Sequence, residues 1–169
     1  MTDGHLTVLI GTTKGAFLVE GGADRFGWKV SGPHCGGWPI NHVIGDPETG
    51  TLWAGGGGEW HGAGVWRSSD GGATWELTRL TSGKMDEWAA NDPGFAAMIG
   101  WTDTPLPFGD DFSQIWSLHY VHGTLYAGTK PARLLASKDG GRTWYHLEGL
   151  ANHPSADSCS PGAAGLVLH

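Results

Sequence analysis

Carboxylate side chains in the middle of the chain are the residues best suited to acid–base chemistry. Glu59 follows a glycine run, and Asp86 and Glu87 lie in a later segment that also carries Asp110 and Asp111. Glycoside hydrolysis uses two carboxyl groups, an acid and a base or nucleophile, held about 5 Å or about 6.5–9.5 Å apart. We therefore predict Glu59, Asp86 and Glu87 as candidate catalytic residues. The alternative is that the acids of the later segment are solvated loop residues.

Aromatic and basic side chains form a second set of candidates, for ligand binding rather than catalysis. Tryptophans can stack on sugar rings, while histidine, lysine and arginine can donate hydrogen bonds to a ligand. The predicted ligand-binding residues are Trp38, His42, Trp60, His61, Lys130, Arg133 and His169.

A metal site is a third interpretation of the polar residues. The zinc-ligand types that could converge are His34, Cys35, His42, Glu59 and His61. Their spacing matches no diagnostic pattern, and a Trp-His pair in a glycine-rich stretch is more often a turn anchor, so no metal is predicted. The glycine run lacks both the GxxxxGK[ST] pattern and the following helix of a phosphate-binding loop, so no cofactor is predicted either.

Composition favours short strands and turns over helices. The 169 residues include 30 Gly, 9 Pro and 10 Trp, and only 39% are hydrophobic. The net charge is −7 and no basic run offers phosphates a footprint, which disfavours nucleic acid as a partner. Cys35 and Cys159 are too few for a disulfide-dense scaffold, and no signal-peptide pattern or apolar stretch of about 20 residues is present. We expect a soluble, cytoplasmic protein with no membrane partner.

Two eight-residue motifs, 68–75 and 137–144, share the pattern Ser-x-Asp-x-Gly-x-Thr-Trp. Each follows a similar strand-like segment, Thr-Leu-Trp-Ala-Gly at 51–55 and Thr-Leu-Tyr-Ala-Gly at 124–128. In such a motif the aspartate can accept hydrogen bonds within a hairpin turn, glycines permit positive φ, and the tryptophan can pack between sheets. The predicted structural residues are Ser68, Asp70, Gly72, Thr74, Trp75, Ser137, Asp139, Gly141, Thr143 and Trp144.

The repeat predicts an all-β fold: an incomplete β-propeller with about three four-stranded antiparallel blades. We expect a blade lacking its inner strand at 1–31, full blades at 42–80 and 114–148, an insertion loop at 81–113, and at 149–169 a connector and the start of a further inner strand. Propellers usually have about four to eight blades, so the missing blades are expected from the rest of a longer chain or from a homodimer. The alternative fold is a β-sandwich of ordinary hairpins.

Both motifs, with Gly-Thr-Thr-Lys-Gly-Ala-Phe at 11–17 and the segment 153–169, resemble the BNR or Asp-box repeat superfamily of β-propellers. The chain most resembles the N-terminal half of bacterial exo-alpha-sialidase-like or glycosyl hydrolase-like proteins, which are generally about twice as long. The resemblance implies Asp boxes on one face of the ring and a ligand site on the opposite face, where the candidates above fall. Sialidases bind a carboxylate with three arginines and commonly carry Arg-Ile-Pro. That motif is missing and only Arg133 is well placed, so true sialidase activity is not expected.

The functional expectation is a ligand-binding BNR-repeat propeller segment that binds glycans or acts on them as a glycoside hydrolase-like protein. The alternative is a non-catalytic, protein-binding scaffold that resembles photosystem assembly factors or sortilin-type propellers.

Overall fold

Antiparallel strands dominate the computed structural model, which describes residues 5–155, 158, 160–162 and 165–169. The strands are β1 (Leu6–Thr12), β2 (Gly15–Gly21), β3 (Lys29–His34), β4 (Ile40–Gly45), β5 (Leu52–Gly58), β6 (Gly62–Ser68), β7 (Glu76–Arg79), β8 (Gln114–Val121), β9 (Thr124–Lys130), β10 (Leu134–Ser137) and β11 (Tyr145–His146). The helices are α1 (Lys84–Asn91), α2 (Pro93–Ile99) and α3 (Glu148–Ala151), with a short 3-10 turn at Cys35–Gly37. The prediction of a mostly β protein is confirmed. Cys159 and residues 1–4 lie outside the described residues.

The strands form three successive units, each an up-and-down antiparallel arrangement. Unit one contains β1, β2 and β3; unit two contains β4 to β7; unit three contains β8 to β11. Units two and three are joined into one curled sheet by the single pairing of Gly57 with Gln114. In units two and three we call the first strand, β4 or β8, the inner strand. In unit one, no described strand pairs with the free edge of β1, which is the position that the inner strand takes in units two and three.

The two eight-residue motifs form matching turns, from β6 to β7 and from β10 to β11. In the second turn, the Ser137 hydroxyl donates to Asp139 Oδ1 at 2.8 Å and accepts from the backbone N–H of Gly141 at 2.9 Å. Asp139 also accepts from the backbone N–H and the hydroxyl of Thr143. Burial opposes ionisation of Asp139, but these hydrogen bonds prevail and hold its pKa at about 2.

The first turn repeats this network residue for residue. Ser68 donates to Asp70 and accepts from the Gly72 N–H, and Asp70 accepts from both donors of Thr74. The hydrogen bonds from Thr74, then Ser68, hold the pKa of Asp70 at about 2. Equal local sequence therefore gives equal turns in two different units.

The apolar core lies between consecutive units rather than inside one of them. One cluster joins Ala16 of unit one to Val43 and Ala54 of unit two. A larger cluster joins Trp53 and Val65 of unit two to side chains of unit three. The side chains on facing sides of consecutive units are therefore buried against each other, as alternating side chains allow.

Residues 81–113 are expected as a loop, but the structure forms α1 and α2 there. Asp86 accepts a hydrogen bond from the Gly83 N–H at the start of α1. Asp92 caps α2 by accepting from the N–H groups of Gly94 and Phe95, and a proline follows it at the first helical position. These capping groups are local, and they stabilise helices too short to show a clear sequence period.

The glycine run is also more regular than a loop, because β5 continues through Gly58. Its backbone lies so close to its neighbours that a Cβ on Gly56 would stand 1.9 Å from the carbonyl oxygen of Pro39. Only residues 59–61 connect β5 to β6. None of the described helices has the length and apolarity needed to cross a lipid bilayer.

Removing the serine hydroxyl from either turn should destabilise the protein. Ser137→Ala and Ser68→Ala each leave a buried glycine N–H without its acceptor, which costs about 1–3 kcal/mol. Chemical denaturation of both variants should give similar losses in the free energy of unfolding, because the two networks match. The exposed Thr104→Ala is the control and should change it by less than about 0.5 kcal/mol. A loss that small in both serine variants would contradict the structural role of the turns.

Candidate functional site

A cleft of about 320 Å³ lies between the two inner strands and the terminal segment. Its lining residues are Asn41, His42, Trp116, Ser117, His119 and His169. The inner strands bring them together because β4 and β8 run side by side. His169 reaches the cleft because the Leu168 N–H donates to the carbonyl oxygen of Thr129 on β9.

A register irregularity at the same place in both inner strands directs side chains into this cleft. The pairing of β4 with β5 shifts between Ile40 and His42, and the pairing of β8 with β9 shifts between Ile115 and Ser117. Bulges of this kind bend the strand locally and redirect a side chain. Asn41 and Trp116 are the residues at the two shifts, and both line the cleft.

Hydrogen bonds fix most of the polar groups of the cleft. Asn41 Nδ2 donates to the carbonyl oxygen of Ile115 at 2.9 Å, and Ser117 Oγ donates to that of Leu168 at 2.9 Å. Trp116 Nε1 donates to His169 Nε2 at 3.1 Å. The Lys130 ammonium group stands 5.6 Å from the centre of a Trp116 ring, within cation–π range.

His42 and His169 present nitrogen–hydrogen donors in their neutral forms. His42 Nδ1 accepts from the Leu118 N–H at 2.9 Å, so the proton of the neutral ring must be on Nε2. His169 Nε2 accepts from Trp116 Nε1, so the proton of the neutral His169 ring must be on Nδ1. Burial, and then the nearby His119 and His169, lower the pKa of His42. The cleft therefore combines an indole ring with the Nε2–H donor of His42, whose lowered pKa favours the neutral ring.

The predicted catalytic carboxylates lie elsewhere, around α1. Asp86 accepts from both terminal nitrogens of Arg79, at 2.8 and 2.5 Å, and from Trp101 Nε1 at 3.0 Å. Burial opposes ionisation of Asp86, but the hydrogen bonds from Arg79, Gly83 and Trp101 prevail and lower its pKa. A general acid at neutral pH needs a raised pKa instead. In this arrangement Asp86 anchors the start of α1.

Glu59 and Glu87 are exposed. Glu59 accepts from Lys84 Nζ at 2.6 Å, and this hydrogen bond and the lysine charge lower the Glu59 pKa. Glu87 is on the exposed side of α1, where its backbone carbonyl accepts from Asn91. Their catalytic role stays a prediction from the sequence.

Three predicted ligand-binding residues surround the same carboxylates. Trp38 is buried and stacks on His61, with ring centres 4.8 Å apart. Trp60 meets Trp88 edge-on at 5.7 Å, and Trp88 stacks on Phe95 at 4.7 Å. Burial, and then the Arg79 charge, lower the pKa of His61.

Arg133 lies in a third place. Its Nη2 atom is 3.2 Å from Asp111 Oδ1, and Asp111 Oδ2 is 3.4 Å from His146 Nε2. The predicted ligand-binding set is therefore divided: His42, His169 and Lys130 gather at the inner-strand cleft, Trp38, Trp60 and His61 near α1, and Arg133 beside Asp111.

The residues named for a metal site are dispersed among other partners. Burial raises the pKa of the Cys35 thiol to about 12, and His34 Nε2 is hydrogen-bonded with Ser31. Within the part of the chain that the structure describes, no three His, Cys, Asp or Glu side chains are grouped as metal ligands.

Trp116, Ser117 and His119 are absent from the sequence predictions. Aligning Ile40-Asn41-His42 with Ile115-Trp116-Ser117 as equivalent inner strands is the signal that could have found them. Neither a protein-family model nor a curated protein matches the chain.

Stability should fall as pH drops below the ordinary histidine pKa of 6.5. The pKa values of His42 and His61 are lowered in the folded state, so between those values and 6.5 the unfolded chain binds more protons. His42→Asn keeps an acceptor for the Leu118 N–H but cannot titrate. Denaturation from about pH 8 to about pH 5 should therefore show a smaller loss of stability in this variant than in the wild type.

The control for this measurement is His153→Gln, at an exposed position that does not line the cleft and does not affect the pKa of His42 or His61. It should keep the wild-type dependence on pH. Equal slopes for His42→Asn and the wild type would show that His42 is as easily protonated in the folded chain as in the unfolded one.

Proposed function

We propose that this chain is part of an Asp-box β-propeller and that it binds a glycan in the inner-strand cleft. Two matching Ser-Asp-Gly-Thr turns, placed between the third and fourth strands of two four-stranded units, support the architecture. The observation that carries the functional part is the convergence of an indole ring, three histidines and an amide on one cleft.

The chemistry of the cleft suits a polyhydroxylated ligand. Sugar rings offer an apolar face that stacks on aromatic rings and hydroxyl groups that accept and donate hydrogen bonds. Trp116 supplies the aromatic surface, while His42 and His169 in their neutral forms each carry one N–H donor. Lys130, beside Trp116, adds a positive charge that favours glycans bearing a carboxylate.

Binding is proposed here rather than hydrolysis. Among the described residues that line the cleft, none has a carboxylate side chain, whereas glycoside hydrolysis requires two carboxyl groups. Glu59 and Asp86 have lowered pKa values and ion-pair partners of their own.

A protein-binding scaffold is the second candidate, favoured by one specific observation. Helices α1 and α2 expose apolar side chains: Trp88 is 52% exposed and Met98 is 74% exposed. Exposed apolar patches commonly mark protein contacts. A single stoichiometric protein partner, lost on Trp88→Ala and kept on Trp116→Ala, would favour this candidate.

A glycan array followed by titration calorimetry tests the cleft. Trp116→Ala and His119→Ala should each weaken binding of the best array glycan about tenfold or more, equal to about 1.4 kcal/mol. His153→Ala removes an exposed histidine outside the cleft and should leave the affinity unchanged.

The double variant Glu59→Ala with His61→Ala distinguishes binding in the inner-strand cleft from binding beside α1. It should bind the glycan as the wild type does. Loss of binding in this double variant, with normal binding by Trp116→Ala, would place the ligand beside α1 and overturn the proposal. Absence of any glycan binding by the wild type would overturn it as well.

A further inference from the structure

Unit one exposes an apolar sheet face. Val8 pairs with Val19 and Val19 with Val30, so these three side chains form a row across the sheet. Val8 is 43% exposed and Val30 is 67% exposed. Leu6 and Ile10 flank Val8 on the same face and are exposed as well. We call these five residues the open face of unit one.

One glycine in each of β1, β5 and β9 relates the three units to one another. A Cβ on Gly11 would lie 2.6 Å from the carbonyl oxygen of Ile40, where the next unit begins. A Cβ on Gly55 would lie 2.5 Å from Ile115 of the following unit. A Cβ on Gly128 would lie 2.2 Å from the carbonyl oxygen of Leu168. Gly11, Gly55 and Gly128 are therefore equivalent positions.

The two residues before each of these glycines contact the neighbouring units. Two residues earlier stand Leu9 and Trp53, and each packs in the cluster shared with the following unit. One residue earlier stand Ala54 and Ala127, and each packs in the cluster shared with the preceding unit. Ile10 is the equivalent of Ala54 and Ala127, which are fully buried, yet it is exposed.

Unit three exposes the side that, in units one and two, packs against the following unit. Tyr126 is the equivalent of Leu9 and Trp53, and it pairs with Ala136, which in turn pairs with Tyr145. Ala136 is fully buried and Tyr145 is 41% exposed. We call Tyr126 and Tyr145 the open face of unit three. Beside it is a groove of about 220 Å³ that Tyr126, Leu134 and Leu150 help to line.

We propose that a second copy of this chain covers both faces. The open face of unit one in each copy packs on the open face of unit three in the other, which continues the interface already formed twice within one chain. The contact is head-to-tail, and two copies related by a two-fold axis close it into one ring of three units from each copy. This inference depends on the propeller architecture proposed above.

Charge does not oppose this contact at short range. Neither open face contains Asp, Glu, Lys or Arg, although each chain has a net charge of −7. Repulsion between the two chains is therefore long-range and is screened by salt, with a Debye length of about 8 Å at physiological ionic strength. The dimer should tighten as sodium chloride is added.

Light scattering and sedimentation of the wild type should give twice the monomer mass. Val8→Asp damages the open face of unit one, and Tyr126→Asp damages that of unit three. Each variant alone should weaken dimerisation about tenfold or more, because both contacts of the ring then contain a damaged face. If either of these variants fails to fold, Val30→Asp or Tyr145→Asp takes its place, because these residues belong to the same open faces and are more exposed.

Mixing the two variants distinguishes the proposed contact from others. A mixture of Val8→Asp and Tyr126→Asp chains retains one contact between two intact faces, so heterodimers should form where neither variant dimerises alone. Met98→Asp, on exposed α2, is the control and should dimerise as the wild type does.

Three outcomes would overturn the dimer. The first is a monomeric wild type at every concentration and salt. The second is sensitivity to Val8→Asp without sensitivity to Tyr126→Asp, which would indicate pairing of two β1 edges. The third is a dimer that weakens with salt. A monomeric wild type that still loses glycan binding on Trp116→Ala would leave the proposed function standing.

Discussion

The contact between each serine–aspartate turn and the preceding unit is the constraint on which the arrangement of sheets depends. A Cβ on Gly72 would lie 2.2 Å from Leu18 Cδ1 of unit one, and the φ of 97° at Gly72 lies in the left-handed region that favours glycine. In the next interface, Trp53 Nε1 donates to the carbonyl oxygen of Gly140 at 2.8 Å. The hydrogen bonds inside each turn fix its shape, and that shape sets how closely two sheets approach. A local motif thereby controls long-range packing.

The spacing of the sheets in turn creates the inner-strand cleft. With β4 and β8 side by side, Asn41 and His42 can hydrogen-bond to the backbone of β8. Those bonds give the Ile115 carbonyl and the Leu118 N–H a partner on the neighbouring inner strand. The polar residues of the cleft therefore have a structural role, and sequence patterns do not distinguish that role from ligand binding. Trp116, His119 and Lys130 are the residues with the most capacity left for binding a ligand.

Local features of the sequence predict the structure better than distant ones do. The turns at 68–75 and 137–144 depend on residues at most seven positions apart, and the repeat gives the order of strands around them. The pairing of Asp86 with Arg79 and the edge-on contact of Trp60 with Trp88 depend on how the insertion folds back, which no repeat indicates. His119 was missed because its place beside His42 depends on two aligned strands and a bulge in each.

The electrostatics of the described residues separate the two candidate regions by chemistry. Near α1 each carboxylate with a resolved pKa shift is held ionised by a cation, so proton donation from Glu59 or Asp86 would first require breaking an ion pair. In the cleft, protonation of His42 would cost its hydrogen bond from the Leu118 N–H, so that ring favours its neutral form. A neutral donor binds hydroxyl and carboxylate oxygens without a counter-charge, and it does not transfer a proton while doing so. Reversible binding, rather than proton transfer, is therefore the chemistry that we propose for the cleft.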